Sequence, residues 1–181
     1  MAASTISLPE TWRGGLAALL LAVGLLGAPA VRAAPASFEA EVVHVTDGDT
    51  VIVRRARGGG ELTVRIEGMD APEICQAGGP ASRSALAGLV LHRRVEVAPR
   101  GRDTYRRTLA RLRLGGQDVG GWMVAQGQAW SYRFRGRQGP YHEAEVRARW
   151  EQRGLWAQPH AEEPRRFRQR HGSCHPGSIA R

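Results

Sequence analysis

The stretch Phe38-Glu39-Ala40-Glu41-Val42-Val43-His44-Val45-Thr46-Asp47-Gly48-Asp49-Thr50-Val51-Ile52-Val53 decides the fold. Apolar and polar side chains alternate from Phe38 to Val42, the period of a half-buried strand, and then slip by one position to Val43 and Val45, the mark of a bulge. Thr46 to Asp49 carry turn chemistry and Thr50 to Val53 are all β-branched, so the segment predicts a hairpin. Arg57 to Gly60 form a second turn. Beyond it Leu62, Val64 and Ile66 share one face of a third strand, with Thr63, Arg65 and Glu67 on the other.

Further along, Pro80, Ala81, Ala85, Leu86, Leu89 and Val90 have helical spacing, with proline where a helix tolerates it best. Val95 and Val97 alternate within Arg93 to Ala98, and Ala110, Leu112 and Leu114 alternate with Arg111 and Arg113 up to Gly115-Gly116, giving two more strands. Helices are predicted from Val119 to Gln126, before Gly127, and from Tyr141 to Arg153, ending at Gly154. The order β-β-β-α-β-β-α-α predicts an α+β chain: a five-stranded Greek-key barrel of the OB type with three α-helices.

The chain has 181 residues and a net charge of +9, and all 26 basic residues are arginine. Its length and its 24% charged and 42% apolar residues suit one soluble domain. No fixed period supports a repeat, coiled-coil or collagen-like architecture. Ala34 to His92 holds five Arg against eight acidic residues, whereas Arg93 to Arg181 holds nineteen against eight. Such a split fits a cation site beside a field that attracts polyanions, or simply a codon preference for solvated arginines.

Arg13, the apolar run Gly14 to Gly27 and the small residues up to Ala33 predict a secretory signal peptide over 1–33, with an uncleaved membrane anchor as the alternative. The mature chain is then expected to be exported, periplasmic or secreted, with a domain over 34–158 and an Arg-rich tail over 159–181 that is weakly ordered unless Cys174 ties it down. Cys75 and Cys174 are the only cysteines, and an oxidising compartment predicts that they pair. The competing metal site in His171-Gly172-Ser173-Cys174-His175 lacks the second half of a usual zinc spacing.

Two acidic segments, Asp47-Gly48-Asp49-Thr50 and Asp70-Ala71-Pro72-Glu73, lie where strand ends meet in a barrel, and their hard oxygen donors suit Ca²⁺ or Mg²⁺. Each alone is ordinary turn chemistry. With Arg65 and Asp103-Thr104-Tyr105-Arg106-Arg107 the set gains coherence. Phosphodiester hydrolysis needs an activated water and positive charge around phosphorus, and arginine grips phosphate in bidentate fashion.

Together with Val64-Arg65-Ile66-Glu67-Gly68-Met69-Asp70-Ala71-Pro72-Glu73, Gly127-Gln128-Ala129-Trp130 and Gly154-Leu155-Trp156, these segments resemble, in order and spacing, the staphylococcal nuclease family over Phe38 to Trp156. The resemblance implies a Ca²⁺-dependent nuclease site between an OB barrel and its loops, acting on DNA, RNA or both. By position, Asp49, Asp70 and the main-chain carbonyl of Ala71 would hold the metal, and Asp47 would lie beside them. Glu73 would activate or position the attacking water, and Arg65 and Arg107 would bind the scissile phosphate. Tyr105, Trp130 and Tyr132 would approach the nucleotide, although Trp130 and Tyr132 fit packing on the third helix equally well.

Arg106 replaces the family's usual glycine, which a turn tolerates if φ stays negative. A Cys75–Cys174 disulfide would bring the tail beside Glu73. No obligate protein partner is inferred and a monomer is expected. Two other readings stay open: a non-catalytic OB-fold nucleic-acid binder, and a membrane-tethered module that contacts polyanions.

Overall fold

The computed structural model describes residues 36–56 and 58–174. The leader over 1–33 and His175 of the tail motif lie outside the described residues. Among the described residues eight strands form: β1 (Phe38–Val45), β2 (Thr50–Arg55), β3 (Glu61–Ile66), β4 (Met69–Asp70), β5 (Arg94–Arg102), β6 (Thr108–Leu114), β7 (Gln117–Asp118) and β8 (Trp130–Ser131). The helices are α1 (Gly79–Val90), α2 (Val119–Ala125), α3 (His142–Trp150) and α4 (Pro164–His171), with a 3₁₀ turn at Gly154–Ala157.

Strand order β3-β2-β1-β5-β6 closes on itself through a parallel β3–β6 pairing, so the five long strands make a barrel. Each turns two or three apolar side chains inward: Ala40, Val42 and Val45; Val51 and Val53; Val64 and Ile66; Val95 and Val97; Ala110 and Leu112. The bulge predicted in β1 falls between Val42 and His44, and it is what lets Val45 face the core after Val42. α1 presents Ser82, Leu86 and Val90 on its buried face, and Ser82 Oγ donates to the carbonyl of Gln128 at 2.7 Å.

Among the described residues there are four α-helices where three are expected. α4 lies in the segment read as weakly ordered tail, whose composition offers little core-forming signal: Phe167 is the one large apolar residue of the helix. Partners supplied by distant segments hold it. Cys174 forms a disulfide with Cys75, the paired reading of the two cysteines, so no thiolate is left at Cys174 for a metal.

Two polar contacts fix the elements around the site. The wholly buried Glu145 of α3 accepts from the Ser131 N–H of β8 at 2.9 Å and from Arg149 Nε at 2.9 Å, clamping α3 to β8. Tyr141, the N-cap residue of α3, donates its hydroxyl to Asp118, the N-cap of α2, at 2.9 Å. β8 in turn pairs antiparallel with β4, Trp130 opposite Asp70.

Candidate active site

The barrel seam builds the site. Thr50 at the start of β2 lies opposite Arg65 of β3, and Arg65 lies beside Leu109 of β6, so the β1–β2 turn, β3 and the loop before β6 converge on one end. Asp49 and Asp70, both almost fully buried, flank the Arg65 guanidinium: one Nη pairs with Asp49 and the other with Asp70 Oδ1 at 2.9 Å. The Ala71 N–H donates to Asp49 Oδ2 at 3.1 Å, joining the two acidic segments directly. Gly48 is required where this turn meets α1, because a Cβ there would overlap Ser82 Oγ and lie 2.7 Å from Ala71 Cβ.

Arg107 reaches the same cluster from the other side. Its Nη1 donates to Thr50 Oγ1 at 3.2 Å, and that hydroxyl donates to Asp49 Oδ1 at 2.9 Å. Asp103 shapes the loop, accepting from the backbone N–H groups of Tyr105 and Arg107 and from Arg107 Nε at 2.7 Å. Arg106 adopts φ +65°, so the condition of a negative φ is not met: the Asp103-anchored turn imposes the left-handed conformation on a residue with a Cβ. Tyr105 is 68% exposed at the rim, with the Arg107 guanidinium 5.3 Å from its ring centre.

Burial alone would push the Asp49 carboxyl up and the Arg65 guanidinium down. The charge of Arg65 and hydrogen bonds from Ala71, Asp47 and Thr50 more than offset it, holding Asp49 below the usual carboxylate range, and the Asp49 and Asp70 charges raise Arg65. Asp47 is pushed up to about 7, by burial first and by the Asp49 charge second. The Asp49 N–H donates to Asp47 Oδ1 at 3.0 Å, so Asp47 supports the turn from beside the pair.

The family model for staphylococcal nuclease homologues matches residues 63–158, more than half of the chain. Protein ParB of Escherichia coli is 39% identical over 163 residues, covering 84% of this chain and 89% of its own length. A micrococcal nuclease of Shigella flexneri is 39% identical over 144 residues, covering 74% of this chain and 82% of its own, and an uncharacterized endonuclease of Haemophilus influenzae is 37% identical over 127, covering 70% and 71%. The chain belongs to the staphylococcal nuclease family.

In this staphylococcal-nuclease-like nuclease Arg65, Asp49, Asp70, Ala71 and Arg107 meet directly or through one hydroxyl. Glu73 joins them through a residue that sequence reading missed. Arg168 of α4 donates to Asp70 Oδ2 at 2.8 Å, to Asp70 Oδ1 at 3.1 Å and to Glu73 Oε1 at 3.0 Å. Its only advance signal was Cys174, which placed the tail near Glu73. Thr50, part of the first acidic segment and of a β-branched run in the sequence, has a role its residue type does not signal, linking Arg107 to Asp49.

Trp130 is only 5% exposed and packs edge-on against Trp156 with ring centres 4.8 Å apart, so its ring supports the fold and has no open face to stack on a base. Tyr132, 43% exposed, stands at the surface. A resident metal is implied by the family, and the donor set fits a hard divalent cation in kind: two carboxylates and a main-chain carbonyl, all oxygen. Among the described residues no group of three or more His, Cys, Asp or Glu is placed to cage an ion, so solvent or substrate oxygens would complete the shell.

Proposed function

We propose that the chain is an exported nuclease that hydrolyses phosphodiester bonds of DNA, RNA or both with little sequence preference, using one Ca²⁺. One observation carries this reading: Arg65 bridges Asp49 and Asp70, with Arg107 one hydroxyl away, in a member of this family. Asp49, Asp70 and the Ala71 carbonyl would hold the cation, which when bound would act as a Lewis acid toward the phosphate.

The protein's own groups do the rest. Arg65 and Arg107 take the non-bridging oxygens of the scissile phosphate and stabilise charge as phosphorus becomes five-coordinate. Glu73 accepts a proton from the attacking water, or orients it, through its carboxylate. Tyr105 and Tyr132 flank the rim and contact nucleotide surfaces without reading base edges, which accounts for weak sequence preference.

Export is supported by the leader pattern over 1–33 and by a disulfide of the kind oxidising compartments maintain. The mass of the protein recovered outside the cytoplasm should lack those 33 residues. An unprocessed mass would favour the membrane-tethered reading. For the activity, plasmid DNA and an RNA transcript should be cut with Ca²⁺ and left intact with a chelator, whereas DNA bound but uncut under both conditions would favour the non-catalytic binder.

A further inference from the structure

Arg168 occupies oxygens that this chemistry needs. Both carboxylate oxygens of Asp70 accept from its guanidinium, Oδ1 also accepts from Arg65, and Arg168 Nη1 is 3.0 Å from Glu73 Oε1. Three of the four acceptor sites of Asp70 are thereby taken by guanidiniums, so a cation bound there would share the carboxylate with them, and one oxygen of Glu73 is drawn toward Arg168. Charge points the same way. Asp49, Asp70 and Glu73 carry three negative charges and face two guanidiniums, Arg65 and Arg168. Adding a divalent cation at Asp70 with Arg168 in place would put two mutually repelling cations on one carboxylate.

The position of Arg168 is built and is not a chance surface pairing. α4 is pinned at its N-terminal side, where Gln76 Nε2 donates to the Glu162 carbonyl at 2.7 Å, and beyond its C-terminus by the Cys75–Cys174 disulfide, two residues after Glu73. Pro164 is buried, and Phe167 lines a cleft with Gln76, Gly78, Trp130 and Leu155. Arg165, Arg166 and Arg170 on the other faces are exposed, so of the four arginines in the helix Arg168 is the one turned into the site.

We infer that α4 is a disulfide-latched plug, in which Arg168 is an internal cation that competes with the divalent metal for Asp70 and engages one oxygen of Glu73. This rests on the proposal that Asp49 and Asp70 hold Ca²⁺. Binding of the ion expels the Arg168 guanidinium from the carboxylates, and the latch keeps it close enough to return when the ion leaves. The chain is thereby latent where free Ca²⁺ is scarce.

The test is calorimetric titration of CaCl₂ into the full mature chain, comparing wild type with Arg168→Gln and with the Cys75→Ser/Cys174→Ser double variant, alongside melting curves to establish folding. Arg168→Gln should tighten the Ca²⁺ Kd by about tenfold, the scale of one lost charge-assisted competitor. The double variant, which keeps Arg168 but frees its anchor, should tighten it by a smaller factor, and it carries the test if Arg168→Gln does not fold. An unchanged or weaker Kd in the folded variants, with wild type binding normally, overturns the plug and leaves the metal proposal standing. A weaker affinity of Arg168→Gln for a nuclease-resistant oligonucleotide at unchanged Ca²⁺ affinity also overturns it, by making Arg168 a phosphate ligand. Absence of binding heat in every folded protein overturns the metal proposal itself and the plug with it.

Discussion

At the scale of single residues, the structure separates proposed site groups with few ties to the protein from those that also hold the fold. Glu73 is tied to the protein through its side chain by Arg168 alone among the contacts described, so Glu73→Gln should lower kcat by ~10²- to 10⁴-fold with a small change in melting temperature. A kcat within a few-fold of wild type would remove Glu73 from the chemistry. Arg65 is different. It bridges two buried carboxylates, and Arg65→Lys, able to serve one of them at a time, should cost about 1–3 kcal/mol of stability as well as turnover. Urea unfolding of that variant, compared with Glu73→Gln, checks the distinction. Sequence alone reveals the residue types and their spacing, because the strand period fixes that Arg65 faces away from Val64 and Ile66. It does not reveal that Arg106 sits at positive φ, since that is imposed by Asp103 accepting bonds from two later backbone N–H groups.

Among elements, those with a strong apolar period are legible in the sequence and α4 is not. The bulge in β1, the three-strand meander and α1 all follow from where valines and leucines recur. α4 has no such period and is fixed by a disulfide, one glutamine and one arginine pairing with residues nearly a hundred positions earlier. The junction of α2 and α3 gives a pH-dependent prediction. Tyr141 is raised well above its ordinary value, by burial first and then by the charge and hydrogen bond of Asp118. A raised value means that the folded chain holds the proton more tightly. The contribution of Tyr141 to stability is therefore fully present below the unfolded value near 10 and is lost as pH rises above it. The chain has no lysine to titrate in this window, and arginine stays charged throughout it. Tyr141→Phe should be less stable than wild type by about 1 kcal/mol at pH 8, and the gap should shrink by pH 11 in denaturant unfolding. A gap that stays constant or widens would contradict the Asp118 bond.

For the whole molecule, the uneven charge described at the outset resolves into a built arrangement. The acidic first half supplies Asp49, Asp70 and Glu73 at one end of the barrel, and the arginine-rich second half surrounds them with Arg107 and, unexpectedly, Arg168. The barrel with its two acidic segments was legible because local patterning and the family's motifs agree. The return of the chain's end onto its own site was not, because nothing local distinguishes Arg168 from its neighbours Arg165, Arg166 and Arg170. Under the proposed function, Asp49, Asp70 and Ala71 hold a divalent cation beside Glu73, Arg65 and Arg107 for phosphodiester hydrolysis. Cleavage of single-stranded DNA, duplex DNA and RNA by wild type and Asp70→Asn, across Ca²⁺, Mg²⁺, Mn²⁺ and a chelator, tests it most directly. Wild type should cleave with Ca²⁺ and not with chelator, and the folded Asp70→Asn protein should lose Ca²⁺-supported cleavage by orders of magnitude. Equal cleavage with and without metal, or undiminished activity in Asp70→Asn, would contradict it.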